Sequence, residues 1–217
     1  MNKKEFRSQK SGVTSKGLLF IVSAPSGAGK TTLCQMAVDY FGDIRHSISY
    51  TTRISRYGEE DGVDYHFIDK KRFQRMTGNN EFLEWAEVHG NMYGTSIRDL
   101  ETLHTKGYDV ALDIDVQGAR QVKERMKNAT FIFVLPPSLA VCKERLRKRA
   151  NNNKREIEKR LENAKLEIKE VRLYDYSIIN DNLDSAFEIF KSIIIAERSR
   201  KEHSLPRVME IFGDIIK

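Results

Sequence analysis

The chain has 217 residues, ample for a buried core and too long to need disulfide or metal staples. With 40% hydrophobic and 31% charged residues it is neither collagen-like nor disordered throughout, and no apolar run approaches the roughly 18 residues of a membrane helix. The net charge of +6 is uneven: residues 1–16 hold Lys3, Lys4, Arg7, Lys10 and Lys16 against Glu5, so most of the excess sits in a tail without periodicity. That tail is expected to be disordered, and the remaining chain does not read as a nucleic-acid binder.

The first strand is expected at 18–22, apolar on both faces and therefore suited to a covered parallel sheet. It is too short for a signal-peptide core. It runs into Ser23, Ala24, Pro25, Ser26, Gly27, Ala28, Gly29, Lys30, Thr31 and Thr32, and a helix is predicted from Thr31 to about Phe41. This is close to G-x-x-x-x-G-K-[ST] in the strand–loop–helix setting that the motif requires. Gly27 and Gly29 permit backbone angles that turn successive N–H groups inward as an anion nest, and the helix start adds its positive dipole end. Lys30 can reach the β- and γ-phosphates, and the Thr31 hydroxyl can face Mg²⁺. Ala24 stands where the pattern has its first glycine. Such a loop indicates a nucleoside triphosphate but not a reaction, since ATPases, GTPases, kinases and motors all use it.

Residues 46–98 break the strand–helix rhythm and read as a small inserted module. Arg53 and Arg56, with hydroxyls just before them, offer guanidinium forks for a second, terminal phosphate, and Tyr65 and Tyr93 offer phenolic donors. Glu84 follows in a short apolar stretch. A carboxylate buried there would favour guanine, whose N1–H and N2 amino group are both donors, and would leave adenine mismatched. Alone, it reads as a surface acid.

A second strand is expected at 110–114. It places Asp113 at a carboxyl end, where an acid can hold Mg²⁺ or its waters. A helix is predicted from Gly118 to Met126, a third strand at 131–135, and a helix from an N-cap at Ser138 to about Arg149. Residues 145–172 carry Arg145, Arg147, Lys148, Arg149, Lys154, Arg155, Lys159 and Arg160, and Ile157, Leu161, Ala164, Ile168 and Val171 trace one helical face. A fourth strand at 177–180 and a last long helix capped by Asp184 complete a doubly wound α/β pattern. Cys34 and Cys142, far apart and both in predicted helices, are expected to be buried packing residues in a cytoplasmic protein.

Taken together, the phosphate loop from Ser23 to Lys30, Ser49-x-Thr-Thr-Arg53-x-x-Arg56, Gly58-Glu59, Gly62-x-x-Tyr65, Glu84-x-Ala86, Gly90-Asn91-x-Tyr93-Gly94-Thr95, Asp113-Ile114-Asp115-x-Gln117-Gly118, Pro136-Pro137-Ser138 and Asn180-Asp181 resemble the guanylate kinase family over about residues 17–200. The resemblance implies an α/β fold with a three-layer P-loop core built on a parallel sheet (17–48, 100–144 and 161–217), a GMP-binding insertion (49–99) and a helical lid (145–160). It implies transfer of the γ-phosphoryl group from ATP to GMP with Mg²⁺, in a monomer or homodimer that also accepts dGMP. By resemblance, Ser49, Glu84 and Thr95 hold guanine, with Asp113 near the same site; Arg53, Arg56, Tyr65 and Tyr93 hold the GMP phosphate. Arg145, Arg149 and Arg160 match the lid arginines, and Asn180 lies near the ATP base. The lid run 150–153, Ala-Asn-Asn-Asn, departs from the family's usual glycine followed by small or acidic residues. The alternative is a non-catalytic guanylate-kinase-like module that binds proteins; it is disfavoured because Lys30, Thr31, Arg53, Arg56 and Asp113 are all in place.

Overall fold

The computed structural model describes residues 17–88, 90–149 and 154–216, except the side chains of Arg149 and Lys154. The basic tail and the lid run 150–153 lie outside the described residues, as does the Arg149 side chain. In chain order the first half forms β1 (Leu19–Ser23), α1 (Lys30–Phe41), β2 (Ile44–His46), β3 (Tyr50–Thr51), β4 (His66–Phe67), α2 (Lys70–Gly78), β5 (Phe82–Val88), β6 (Asn91–Ser96) and α3 (Ile97–Thr105). The second half forms β7 (Asp109–Asp113), α4 (Val116–Arg125), β8 (Thr130–Leu135), α5 (Leu139–Arg149), α6 (Lys154–Ile168), a 3-10 turn (Lys169–Leu173), β9 (Tyr176–Ile179), α7 (Leu183–Arg198) and α8 (Lys201–Ile216).

The apolar runs become one parallel sheet in the order β2-β7-β1-β8-β9. Along β1, Phe20 and Val22 pack on one face with Leu33, Ala186 and Phe190, whereas Leu19 and Ile21 pack on the other with Leu100, Ala119 and Val122. Helices α1 and α7 therefore cover one face and α3 and α4 the other, which is why these strands are apolar on both sides. The register pairs Val22 with Asp113, so β7 delivers its acid beside the end of β1.

A second sheet, ordered β4-β3-β6-β5, sits between α1 and α3 in the chain. Its apolar support is small: Phe73, Met76 and Phe82, with Tyr50, Ile68 and Met92 packed alongside. Helices α5 and α6 pair through Cys142, Leu146, Leu161 and Ala164. Among the described residues no helix is long and apolar enough to cross a membrane.

Several local expectations are corrected. Asn182, not Asp184, caps α7: its side chain accepts from the Ser185 N–H at 3.0 Å from an extended backbone, and Asp184 already lies in the first turn. Helix α4 starts two residues before Gly118 because Asp115 caps it, accepting from the Gly118 N–H at 2.9 Å. The amphipathic segment does not stay helical to residue 172; α6 ends at Ile168 and Val171 falls in the 3-10 turn. Helix α7, expected to be the last, is followed by a further helix, α8. Strand β2 escapes the pattern because it has only three residues.

Candidate active site

The loop after β1 is shaped by two glycines in the left-handed region, Gly27 at φ 88° and Gly29 at φ 94°. A side chain at Gly29 would also collide with the Asn180 amide. Ala24 does not adopt a positive φ, so the pattern's first glycine is dispensable here. The loop's carbonyls are tied from behind. Asn180 Nδ2 donates to Ala28 O at 2.7 Å, and Cys142 Sγ donates to Ser26 O at 3.1 Å. Arg145 bridges the same region, with Nη2 3.0 Å from Asn180 O. Holding C=O groups outward leaves N–H groups for the concave side. Helix α1 has Gly29 at its N-cap with no side-chain cap, so its first-turn N–H groups remain available to an anion.

Lys30 and Thr31 converge on one carboxylate. Lys30 Nζ lies 2.5 Å from Asp113 Oδ1 and donates to Ile114 O at 2.9 Å; Thr31 Oγ1 donates to Asp113 Oδ2 at 2.7 Å. Burial opposes the Lys30 charge, but Asp113, joined by Cys34 and Asp115, outweighs it and the ammonium pKa ends above its ordinary value. The hydroxyl and carboxylate oxygens form the hard-oxygen set that Mg²⁺ takes. The adjoining cavity, about 340 Å³, is bounded by the loop, by Glu87 and Val88 of β5, and by Arg160 and Glu167 of α6.

The second sheet brings its polar residues inside. Glu84 is 3% exposed and Thr95, opposite it across the β5–β6 ladder, is fully buried. Thr95 Oγ1 donates to Glu84 Oε1 at 2.6 Å. Burial pushes the Glu84 carboxyl up to about 7; the Thr95 hydrogen bond pulls it back, and the nearby Asp115 charge adds to the rise. The other carboxylate oxygen rests against Gly118, where a Cβ would overlap it. This carboxyl is therefore not the surface acid that Glu84 alone suggests.

Arg53 is not a free fork. Its two terminal nitrogens donate to Glu59 at 2.9 and 2.8 Å, and Glu59 also accepts the Arg56 N–H at 2.7 Å. That pairing, outweighing desolvation, raises the Arg53 pKa further. The Arg53 guanidinium lies 5.3 Å from the centre of the Tyr65 ring, which meets Tyr93 edge-on at 5.9 Å. Arg56 is exposed, and Ser49 uses its carbonyl to accept from His66 N–H at 2.9 Å. Arg160 donates to Glu156 at 2.8 Å while bordering the loop cavity. Asn180, expected near a base, is 3% exposed and braces the loop. Sequence reasoning does not single out Glu59 as the partner of Arg53, nor Glu167, one acid in a charged run. The Glu167 carboxylate faces the Ser26 N–H, and its Oε2 is buried with no partner among the described residues.

A parallel sheet feeding an anion-binding loop, with an acid on the neighbouring strand beneath its lysine, defines a P-loop nucleotide-binding protein. Comparison with known proteins narrows the class. The sequence profile described as Guanylate kinase matches residues 16–197. The guanylate kinase of Geobacter sulfurreducens is 52% identical over 198 residues, covering 91% of this chain and 98% of that protein. That of Vibrio vulnificus is 49% identical over 189 residues, covering 86% and 91%. The crystal structure of guanylate kinase from Anaplasma phagocytophilum aligns with a TM-score of 0.74 at 33% identity, over 90% of this chain and 95% of that one. The chain belongs to the guanylate kinase family.

Proposed function

We propose that the loop cavity and the second sheet are the two halves of one transfer centre, in which the γ-phosphoryl group of ATP passes to GMP and yields ADP and GDP. By its family the protein is an ATP:GMP phosphotransferase, a nucleoside monophosphate kinase. The observation that carries the assignment of roles is the buried Glu84–Thr95 pair on a strand whose far end, Glu87 and Val88, borders the phosphate-loop cavity.

The Glu84 carboxylate accepts from guanine N1–H and the N2 amino group, with Thr95 and Ser49 supplying hydroxyls. Adenine presents an acceptor at N1 and no N2 amino group, so it would leave a buried carboxylate unpaired. Arg53, oriented by Glu59, joins Arg56, Tyr65 and Tyr93 on the GMP phosphate. We propose dGMP as an acceptor as well. On the donor side the residues 23–32 cradle the triphosphate, and Asn180 holds that cradle in shape. Thr31 and Asp113, the latter through water, are the residues to hold Mg²⁺, which when bound draws charge from the phosphate oxygens.

Bringing two polyanions together is the difficulty, so the protein's work is positioning and neutralisation. Lys30 moves from Asp113 toward the β- and γ-phosphates. Arg145, Arg149 and Arg160 add positive charge around the transferring group as the lid, 145–160, closes with the insertion, 49–99, and excludes water. No general base is required, because the acceptor phosphate is already largely anionic. The test is coupled ADP production from ATP and Mg²⁺ with GMP, dGMP, AMP, UMP or no acceptor. Turnover with GMP and dGMP and little with AMP is expected; ADP formation independent of acceptor would overturn the reading of the second sheet.

A further inference from the structure

Strand β5 carries Glu84 on the outer edge of the second sheet. An edge strand has backbone groups on one side that no neighbouring strand can pair. Here the ladder to β6 is also irregular between Phe82 and Glu84, where the register shifts. The carboxyl argued to read guanine thus hangs from a stretch of backbone that its own sheet holds poorly.

Helix α4 supplies what the sheet lacks. Three of its residues, Gly118, Gln121 and Arg125, are spaced three and four apart and so share one face. That face lies along β5. Gln121 makes both halves of a strand-like pairing: its Oε1 accepts the Trp85 N–H at 3.2 Å, and its Nε2 donates to Trp85 O at 2.7 Å. Arg125 Nη1 donates to Phe82 O at 3.0 Å and to Leu83 O at 2.5 Å. Gly118 contributes bare backbone against the Glu84 carboxylate. The helix itself is fixed to the core through buried Ala119 and Val122 and by its Asp115 cap.

We infer that Gln121 is a positioning residue for base recognition: its amide stands in for a missing strand, pins the peptide groups on both sides of Trp85, and so sets where the Glu84 carboxylate meets the purine. This rests on the reading of Glu84 as the guanine acceptor. The pinned peptides include the one joining Glu84 to Trp85. Releasing them displaces Glu84 without removing it. Because Trp85 is 36% exposed, water can replace the lost hydrogen bonds, so the chain stays folded while the geometry loosens.

The experiment is steady-state kinetics of Gln121→Met, which removes both hydrogen bonds at similar volume, with GMP and with IMP, the analogue lacking the N2 amino group. A roughly tenfold rise in KM for GMP is expected, with kcat and the KM for ATP within about twofold and the GMP-over-IMP preference reduced. A purely structural role would lower the active fraction for every substrate and leave KM and that preference where they were. Gln121→Glu keeps an acceptor for the Trp85 N–H and sets a carboxylate against Trp85 O; it should fall between the two proteins. If either folded variant keeps the wild-type KM for GMP and the wild-type preference, the inference is overturned. Glu84→Gln separates the two failures. A preference unchanged in Glu84→Gln sinks the base reading and this inference with it. A preference lost in Glu84→Gln but intact in Gln121→Met sinks only the role given to Gln121.

Discussion

The two sheets of this molecule are built on opposite rules. The central strands of the parallel sheet, β1, β7 and β8, are buried on both faces and keep their polar groups at strand ends, where Ser23 meets the loop and Asp113 meets Lys30. The second sheet has a small apolar cluster and buries working polar side chains within its strands, Glu84 against Thr95. The first arrangement suits chemistry that any nucleoside triphosphate shares, delivered by backbone and one lysine. The second suits discrimination, because a desolvated carboxylate penalises any ligand that fails to pair with it. On the proposed roles, catalytic power rests mainly on the first sheet and substrate choice on the second, and substitutions should be able to damage one more than the other.

The largest expected effect tests the catalytic side. Lys30→Met should lower kcat by about a thousandfold or more, in line with loss of a charge that meets the transferring phosphoryl group. A variant that keeps its kcat in the coupled assay would dissolve the contrast between the sheets. Next comes Gly118→Ala, whose new methyl overlaps the Glu84 carboxylate. The KM for GMP should rise roughly tenfold while that for ATP barely moves; equal losses on both substrates would mean that the layers are not independent.

Acidity sharpens the same division. With the Glu84 pKa near 7, the acceptor is increasingly protonated below that pH, so GMP binding should weaken as pH falls through 7 and Glu84→Gln should abolish the step. For the free protein the sign reverses. A carboxyl whose folded pKa lies above its unfolded value of 4.5 contributes stability that is fully present below 4.5 and is lost as pH rises through 7. Thermal melting of wild type against Glu84→Gln from pH 4 to 8 reads this directly. The smallest effect is outside both sites: Asn182→Ala removes the α7 cap and should cost about 1 kcal/mol in denaturant unfolding, with kinetics unchanged.

Much of the parallel sheet was legible because two-sided burial writes continuous apolar runs, and β1, β7 and β8 lie within a residue of where those runs predict strands; β9, with Ser177 and Ile179 exposed, lies as close to its short expected run. The loop was legible because only glycine tolerates its positive φ angles next to a lysine and a hydroxyl. The second sheet was not, beyond being recognised as an interruption. Strands of two residues such as β3 and β4 carry no period, and burial of Glu84 depends on Thr95, Gly118 and α4 arriving from elsewhere in the chain. Glu59 shows the same limit from another side. A carboxylate six residues after Arg53 looks like any surface charge until a turn folds it back onto the guanidinium. The misplaced α7 cap was a local ambiguity between two residues of similar chemistry, settled by which one lies outside the first turn.

The bare start of α1 has a thermodynamic corollary. A helix that begins at Gly29 without a side-chain cap leaves part of its own completion to solution, and a triphosphate bound there as proposed would supply the missing acceptors. The nucleotide is then a removable piece of secondary structure as well as a reactant. At one hundred times its dissociation constant it would add about 2.7 kcal/mol to the folded state, and amide exchange in the first turn of α1 should slow more than anywhere else in the sheet's covering helices. The protein's resistance to unfolding would accordingly rise and fall with the ATP level around it.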